Sequence, residues 1–128
     1  MDTTHPGFRT EIEFELPKGY VDNAGMLHRQ GVMRLATAAD EILPLRDPRV
    51  AQNEAYLTVI VLARVITRLG ALPDISTHVI EGLYASDLAY LQRLYERFNG
   101  SDDDEAAAPR REAHVNGALS GMRALGEA

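Results

Sequence analysis

The sequence predicts an α+β domain: an N-terminal β-hairpin followed by about four helices with a long central helix, then a flexible C-terminal tail. Three observations predict it. Apolar and acidic residues alternate with period two near the N-terminus, the apolar spacing switches to about 3.6 after Thr37, and the composition turns polar and acidic near residue 100.

The first strand is read from TEIEFELP. Ile12, Phe14 and Leu16 alternate with Glu11, Glu13 and Glu15, the pattern of a half-buried strand. Pro17 is expected to stop it. The stretch KGYVDNAG supplies turn chemistry through Asp22, Asn23 and Gly25. A second strand is expected over residues 27–35, with Gly31 suggesting a bulge. A two-stranded hairpin is marginal alone, so it must pack on helices or pair with another chain.

Thr37-Ala-Ala-Asp40 fits a capping box, and Ile42 and Leu45 give the helix it opens a short apolar face. Asp47-Pro48 supplies an N-cap and a first-turn proline. The spacing predicts one helix from Pro48 to Leu69, ending at Gly70 and spanning roughly 33 Å. Val59, Ile60, Val61, Val65 and Ile66 would also suit a strand; length and the two caps favour the helix. Ser76 or Thr77 caps a short helix to about Tyr84. Ser86 starts the last one, with Tyr84, Leu88, Leu91, Tyr95 and Phe98 on one face. Of the tyrosines, Tyr84 and Tyr95 are expected in the core, while Tyr90 falls off the face and is free for a contact.

Residues 101–128 carry half of the net charge of -6. An acidic block, Asp102 to Glu105, and Pro109 lie close together, so 101–128 is expected to be a disordered tail, as is 1–10, leaving 11–100 as the single domain. Leu119, Met122 and Leu125 have helical spacing, but Gly117 and Gly121 weaken that helix by about 1 kcal/mol each.

At 128 residues the chain is one domain, large enough for a core without staples. It has no cysteine, which excludes disulfides, thiolate metal sites and thiol catalysis. The acidic balance argues against nucleic acid or an anionic membrane as a partner. The longest nearly apolar run, residues 55–63, is about half a membrane span. Without a signal-peptide pattern, a cytoplasmic location is expected.

The search for chemistry yields little. His5, His28, His78 and His114 form no His-x-x-x-His pair, and His78 with Glu81 reads as a surface pair. Asp40 and Glu41 are explained by a helix N-terminus. The 102–105 run lacks the spaced ligands and glycine of a calcium loop. No phosphate loop or nucleophile elbow occurs. The expectation is no enzyme, no cofactor and no metal. Glu11, Glu13 and Glu15 read either as an acidic docking edge or as protection of an edge strand against aggregation.

Four segments taken together resemble a known group: FELPKGY (14–20), GVMRLATAADEI (31–42), NEAYLTVIVLARVITRLG (53–70) and LPDISTHVIEGLYASDLAYLQRLYERFN (72–99). They are similar to the small tail assembly proteins of contractile phages and contractile injection systems, including tail assembly chaperones and baseplate-hub assembly proteins. The resemblance covers residues 11–99 and consists of packing and capping signals. Members of that family often carry a Cys-x-x-Cys segment after the last helix; APRREAHVNGALSG stands here instead, so no metal role follows. The resemblance implies a non-enzymatic assembly factor that transiently holds a tape-measure, hub or tube-initiator component. A structural baseplate subunit and a generic adaptor are the alternatives. The expected contact surface joins the hairpin to the last helix through Phe14, Leu16, Tyr20, Met33, Arg34 and Tyr90, since a hairpin edge pairs with a partner strand and a tyrosine anchors a contact.

Overall fold

The computed structural model describes residues 9–100. The expectations for the two termini, 1–8 and 101–128, lie outside these residues. The α+β class and the N-terminal hairpin are present. β1 (Glu11–Val21) and β2 (Leu27–Arg34) form the hairpin, and β3 (Ile66–Leu69) adds to the other side of β2. The sheet is antiparallel in the order β1-β2-β3. The described residues also form five α-helices: α1 (Ala38–Ile42), α2 (Pro48–Gln52), α3 (Tyr56–Val65), α4 (Thr77–Glu81) and α5 (Ala85–Asn99). A 3₁₀ turn, Leu43–Arg46, links α1 to α2.

Pro17 does not end β1. Between the pairs Glu15↔Gln30 and Tyr20↔His28, β1 advances five residues while β2 advances two. The extra residues form a bulge, where a proline loses no ladder bond. Asp87, in the first turn of α5, accepts the main-chain N–H of Lys18 at 3.0 Å and of Gly19 at 2.7 Å. Gly19 has φ 103°, a conformation that favours glycine. The bulge is thus held from across the molecule.

Gly31 is not a bulge on the β1 side; it pairs in register with Phe14. Its role is close approach. A Cβ there would collide with the Phe14 ring and lie 2.7 Å from the Arg68 carbonyl oxygen. The irregularity in β2–β3 pairing lies one step on, between Val32 and Met33.

The single helix expected over 48–69 is three elements. Asp47 caps α2 as predicted, its carboxylate accepting the Arg49 N–H at 2.8 Å. The helix breaks at Asn53, which is extended (φ -154°, ψ 101°) and whose side chain accepts the Ala55 N–H. Asparagine competes for the main chain in this way, and so favours a break. After Val65 the chain leaves the helix and becomes β3. Ile66 and Leu69 are both buried, which fits the spacing of a helix and equally that of a strand with one irregular step. The open side of β2 decides for the strand.

The core lies between one face of the sheet and the helices. Phe14, Leu16, Met33, Ile66 and Leu69 meet Leu57, Val61, Leu62 and Val65 of α3, Ile80 of α4, and Leu91, Leu94 and Tyr95 of α5. α3 is apolar nearly all round, as expected of a helix contacted on several sides. Ser76 caps α4 through the Val79 N–H. α5 begins at Ala85, and runs antiparallel to β1: Asp87 lies against Lys18 and Gly19, and Asn99 accepts the Ala36 N–H at 2.8 Å beside the other end of the hairpin.

Candidate partner-binding surface

The six residues expected to form the contact surface do not share a surface. Phe14, Leu16 and Met33 are core side chains, at most 5% exposed. They sit on the inward parity of their strands, the same parity that made them the apolar members of the sequence pattern. Tyr20 is half-buried, near Gly82. Arg34 is engaged by Asp40, and Tyr90 is half-buried with its ring edge-on to Phe14 at 6.5 Å between centroids. Phe14, Leu16 and Met33 therefore face the core rather than an open surface, while Tyr20, Arg34 and Tyr90 stay partly exposed. Tyr84, expected in the core, is 55% exposed.

The exposed large apolar side chains lie elsewhere. Val21, Met26 and Leu27 flank the hairpin turn, and Tyr84 precedes α5 at the same end of the molecule. Ile42, Leu43 and Leu45 project from the α1–α2 link. The second group has a periodic sequence signal, the short apolar face of Ile42 and Leu45. For the first, apolar residues directly beside DNAG were the available signal.

Both groups are carried on backbone that polar contacts hold in place. Asp22 closes the hairpin turn by accepting the N–H groups of Ala24 at 2.8 Å and Met26 at 3.0 Å. Its other oxygen lies 2.8 Å from Nε2 of His28, which is 6% exposed. Nδ1 of His28 accepts the Ala71 N–H at 3.1 Å, so in the neutral ring Nε2 carries the proton and donates to Asp22. The bond from His28 is the largest cause holding Asp22 below its ordinary value. Both ring nitrogens are thereby used, and the pair ties the turn to the loop after β3.

At the opposite end, Asp40 is 2% exposed and fully satisfied. Arg34 forks onto both of its oxygens at 2.8 and 3.0 Å, and Arg64 Nε donates to it at 2.9 Å. The Thr37 N–H donates at 2.7 Å, completing the capping box read from the sequence. The Arg34 guanidinium, above all, holds this carboxyl far below the usual carboxylate range, against the cost of its burial. Tyr95 donates its hydroxyl to Glu41, and burial raises that phenol. The Asp40–Glu41 pair that read as an ordinary helix start is therefore the junction of β2, α1, α3 and α5. Its two arginine partners lie 6 and 24 residues away, beyond the reach of any local pattern.

Among the described residues, no group of three or more His, Asp or Glu side chains is placed to hold a metal. No described helix is long and apolar enough to cross a membrane. The chain matches no protein-family model, no curated protein and no solved structure at a significant level.

Proposed function

We propose that this chain is a non-enzymatic protein-binding factor that assists assembly of a phage tail or a phage-derived contractile injection system. The observation that carries the binding part is the exposure of Val21, Met26 and Leu27, between 50% and 59%, on a turn fixed by Asp22 and His28. Large apolar side chains held rigidly in water mark a surface that a partner covers. The assembly part is supported by the resemblance across residues 11–99. The partner class it implies is a tape-measure, hub or tube-initiator component, bound transiently. A structural baseplate subunit is the second reading, since the same surface serves a permanent contact equally well.

The test has two arms. Deleting the gene should abolish or sharply reduce intact particles, and mass spectrometry of purified wild-type particles should find little of this chain. A fixed symmetric copy number in the particle decides for the structural subunit. Unchanged particle yield on deletion removes both readings and leaves a generic adaptor.

A further inference from the structure

We propose that the outer edge of β1, residues 11–15, takes an extended basic segment of a partner as an added strand. The inference rests on the reading of this chain as a protein-binding factor and names the chemistry of what it binds.

The edge follows from the register. The Thr10 carbonyl accepts the Leu35 N–H at 2.8 Å, and Ile12↔Met33 and Phe14↔Gly31 continue the same ladder. Main-chain groups alternate sides along an antiparallel strand. Those of Thr10, Ile12 and Phe14 therefore face β2, and those of Glu11, Glu13 and Glu15 face outward. Among the described residues no strand pairs there, because β1 is the end of the sheet. The opening has a defined limit. Past Glu15, Asp87 already occupies the N–H groups of Lys18 and Gly19. Five residues remain, a length of about 17 Å, which is a typical strand.

Charge selects the occupant. Glu11, Glu13 and Glu15 are exposed on the sheet face away from the core. Among the described residues, only Glu15 of the three has an ion-pair neighbour, Arg29 at 3.6 Å, with both side chains about half exposed. An added strand would set its alternate side chains about 5 Å from these carboxylates. A second copy pairing through its own β1 would place glutamates against glutamates, which disfavours self-pairing. Lys or Arg at every second position matches the edge, and the intervening residues fall beside half-buried Ile12 and should be apolar. The competing explanation is that the glutamates only prevent unwanted pairing; it expects no binding.

The probe is a fluorescein-labelled peptide of alternating Arg and Val, titrated with the full chain, with a Glu/Val peptide as control. Binding of the Arg peptide alone is expected, weakening several-fold between about 50 and 300 mM salt. Glu13→Pro removes only an outward N–H, so the β1–β2 ladder stays and affinity should drop at least about tenfold. The double change Glu11→Lys with Glu13→Lys should reverse the preference to the Glu peptide, which keeps the test valid if the proline variant fails to fold. On binding, the amides of Glu11, Glu13 and Glu15 should gain protection from hydrogen exchange. No binding, or binding indifferent to these changes, overturns the edge assignment. Particle loss on gene deletion without peptide binding overturns this inference alone. Peptide binding with an unaffected particle yield supports the edge and removes only the assembly reading.

Discussion

Asp87 and Gly19 are 68 residues apart, yet the Asp87 carboxylate lies 2.7 Å from the Gly19 amide and is completely buried. This contact joins the start of α5 to the bulge of β1. It lets a strand continue past Pro17, and it closes the sheet edge beyond Glu15. One carboxylate thus fixes the hairpin's shape and the angle at which α5 covers it.

Asp87→Ala leaves the Lys18 and Gly19 N–H groups without their acceptor. Each such loss in a buried setting costs about 1–3 kcal/mol, and part of the Lys18 group reaches water, so the variant should lose about 2–4 kcal/mol in urea unfolding. A loss below 0.5 kcal/mol, on the order of surface noise, counts against the clamp.

Asp40 makes stability depend on acid. Its carboxyl is held below the unfolded value of about 4. The stabilisation is therefore full above that value and falls as pH drops through and below it. Unfolding free energy measured from pH 7 to pH 3 should decline more steeply in the natural protein than in Asp40→Asn. At pH 7 Asp40→Asn should cost about 2–3 kcal/mol. That is less than a fully enclosed pair would lose, because Arg34 and Arg64 are about a third exposed and can turn to water. Equal pH slopes in the two proteins would rule out Asp40 as the titrating group.

The class of fold was legible because it depends on local periodicity. Glu11 to Leu16 alternate, Thr37 and Asp47 cap, and Ser76 caps α4; each signal is contained within a few residues. What was not legible depends on distant partners. Pro17 reads as a stop unless Asp87 is known to take up the amides beyond it. Ile66 and Leu69 fit a helix stripe and a bulged strand alike, and only the open side of β2 separates them. Surface exposure follows the same division. Strand parity places Phe14, Leu16 and Met33 inward, whereas Val21 and Met26, which flank the turn, carry no periodic signal.

Leu62 and Ile42 test the inside and outside of this arrangement together. Leu62 is fully buried on α3, and truncation to alanine should cost about 2–5 kcal/mol. Ile42 is 57% exposed, and the same truncation should fall within about 0.5 kcal/mol. Guanidinium melts with matched m-values are the check. A loss below 1 kcal/mol at Leu62 would contradict the central packing of α3, and one above 2 kcal/mol at Ile42 would mean that its side chain is covered in solution.

Gly31 and Phe14 should behave as one unit. They face each other across the β1–β2 ladder, and the phenyl ring lies over the glycine where any side chain would stand. Gly31→Ala forces the ring aside and so disturbs its edge-on contact with Tyr90 as well. Overpacking of this kind costs about 1–3 kcal/mol. Phe14→Ala alone should cost about 3–5 kcal/mol through the cavity it leaves. In the double variant the new methyl occupies space the ring has vacated, so the two losses should fall short of additive by about 1 kcal/mol or more. Relief stays partial, because the Arg68 carbonyl, 2.7 Å from the added carbon, belongs to β3 and does not move with Phe14. The cycle of four proteins, measured by urea unfolding, separates the two obstacles. Strict additivity would show that the carbonyl, and not the ring, is what requires glycine at this position.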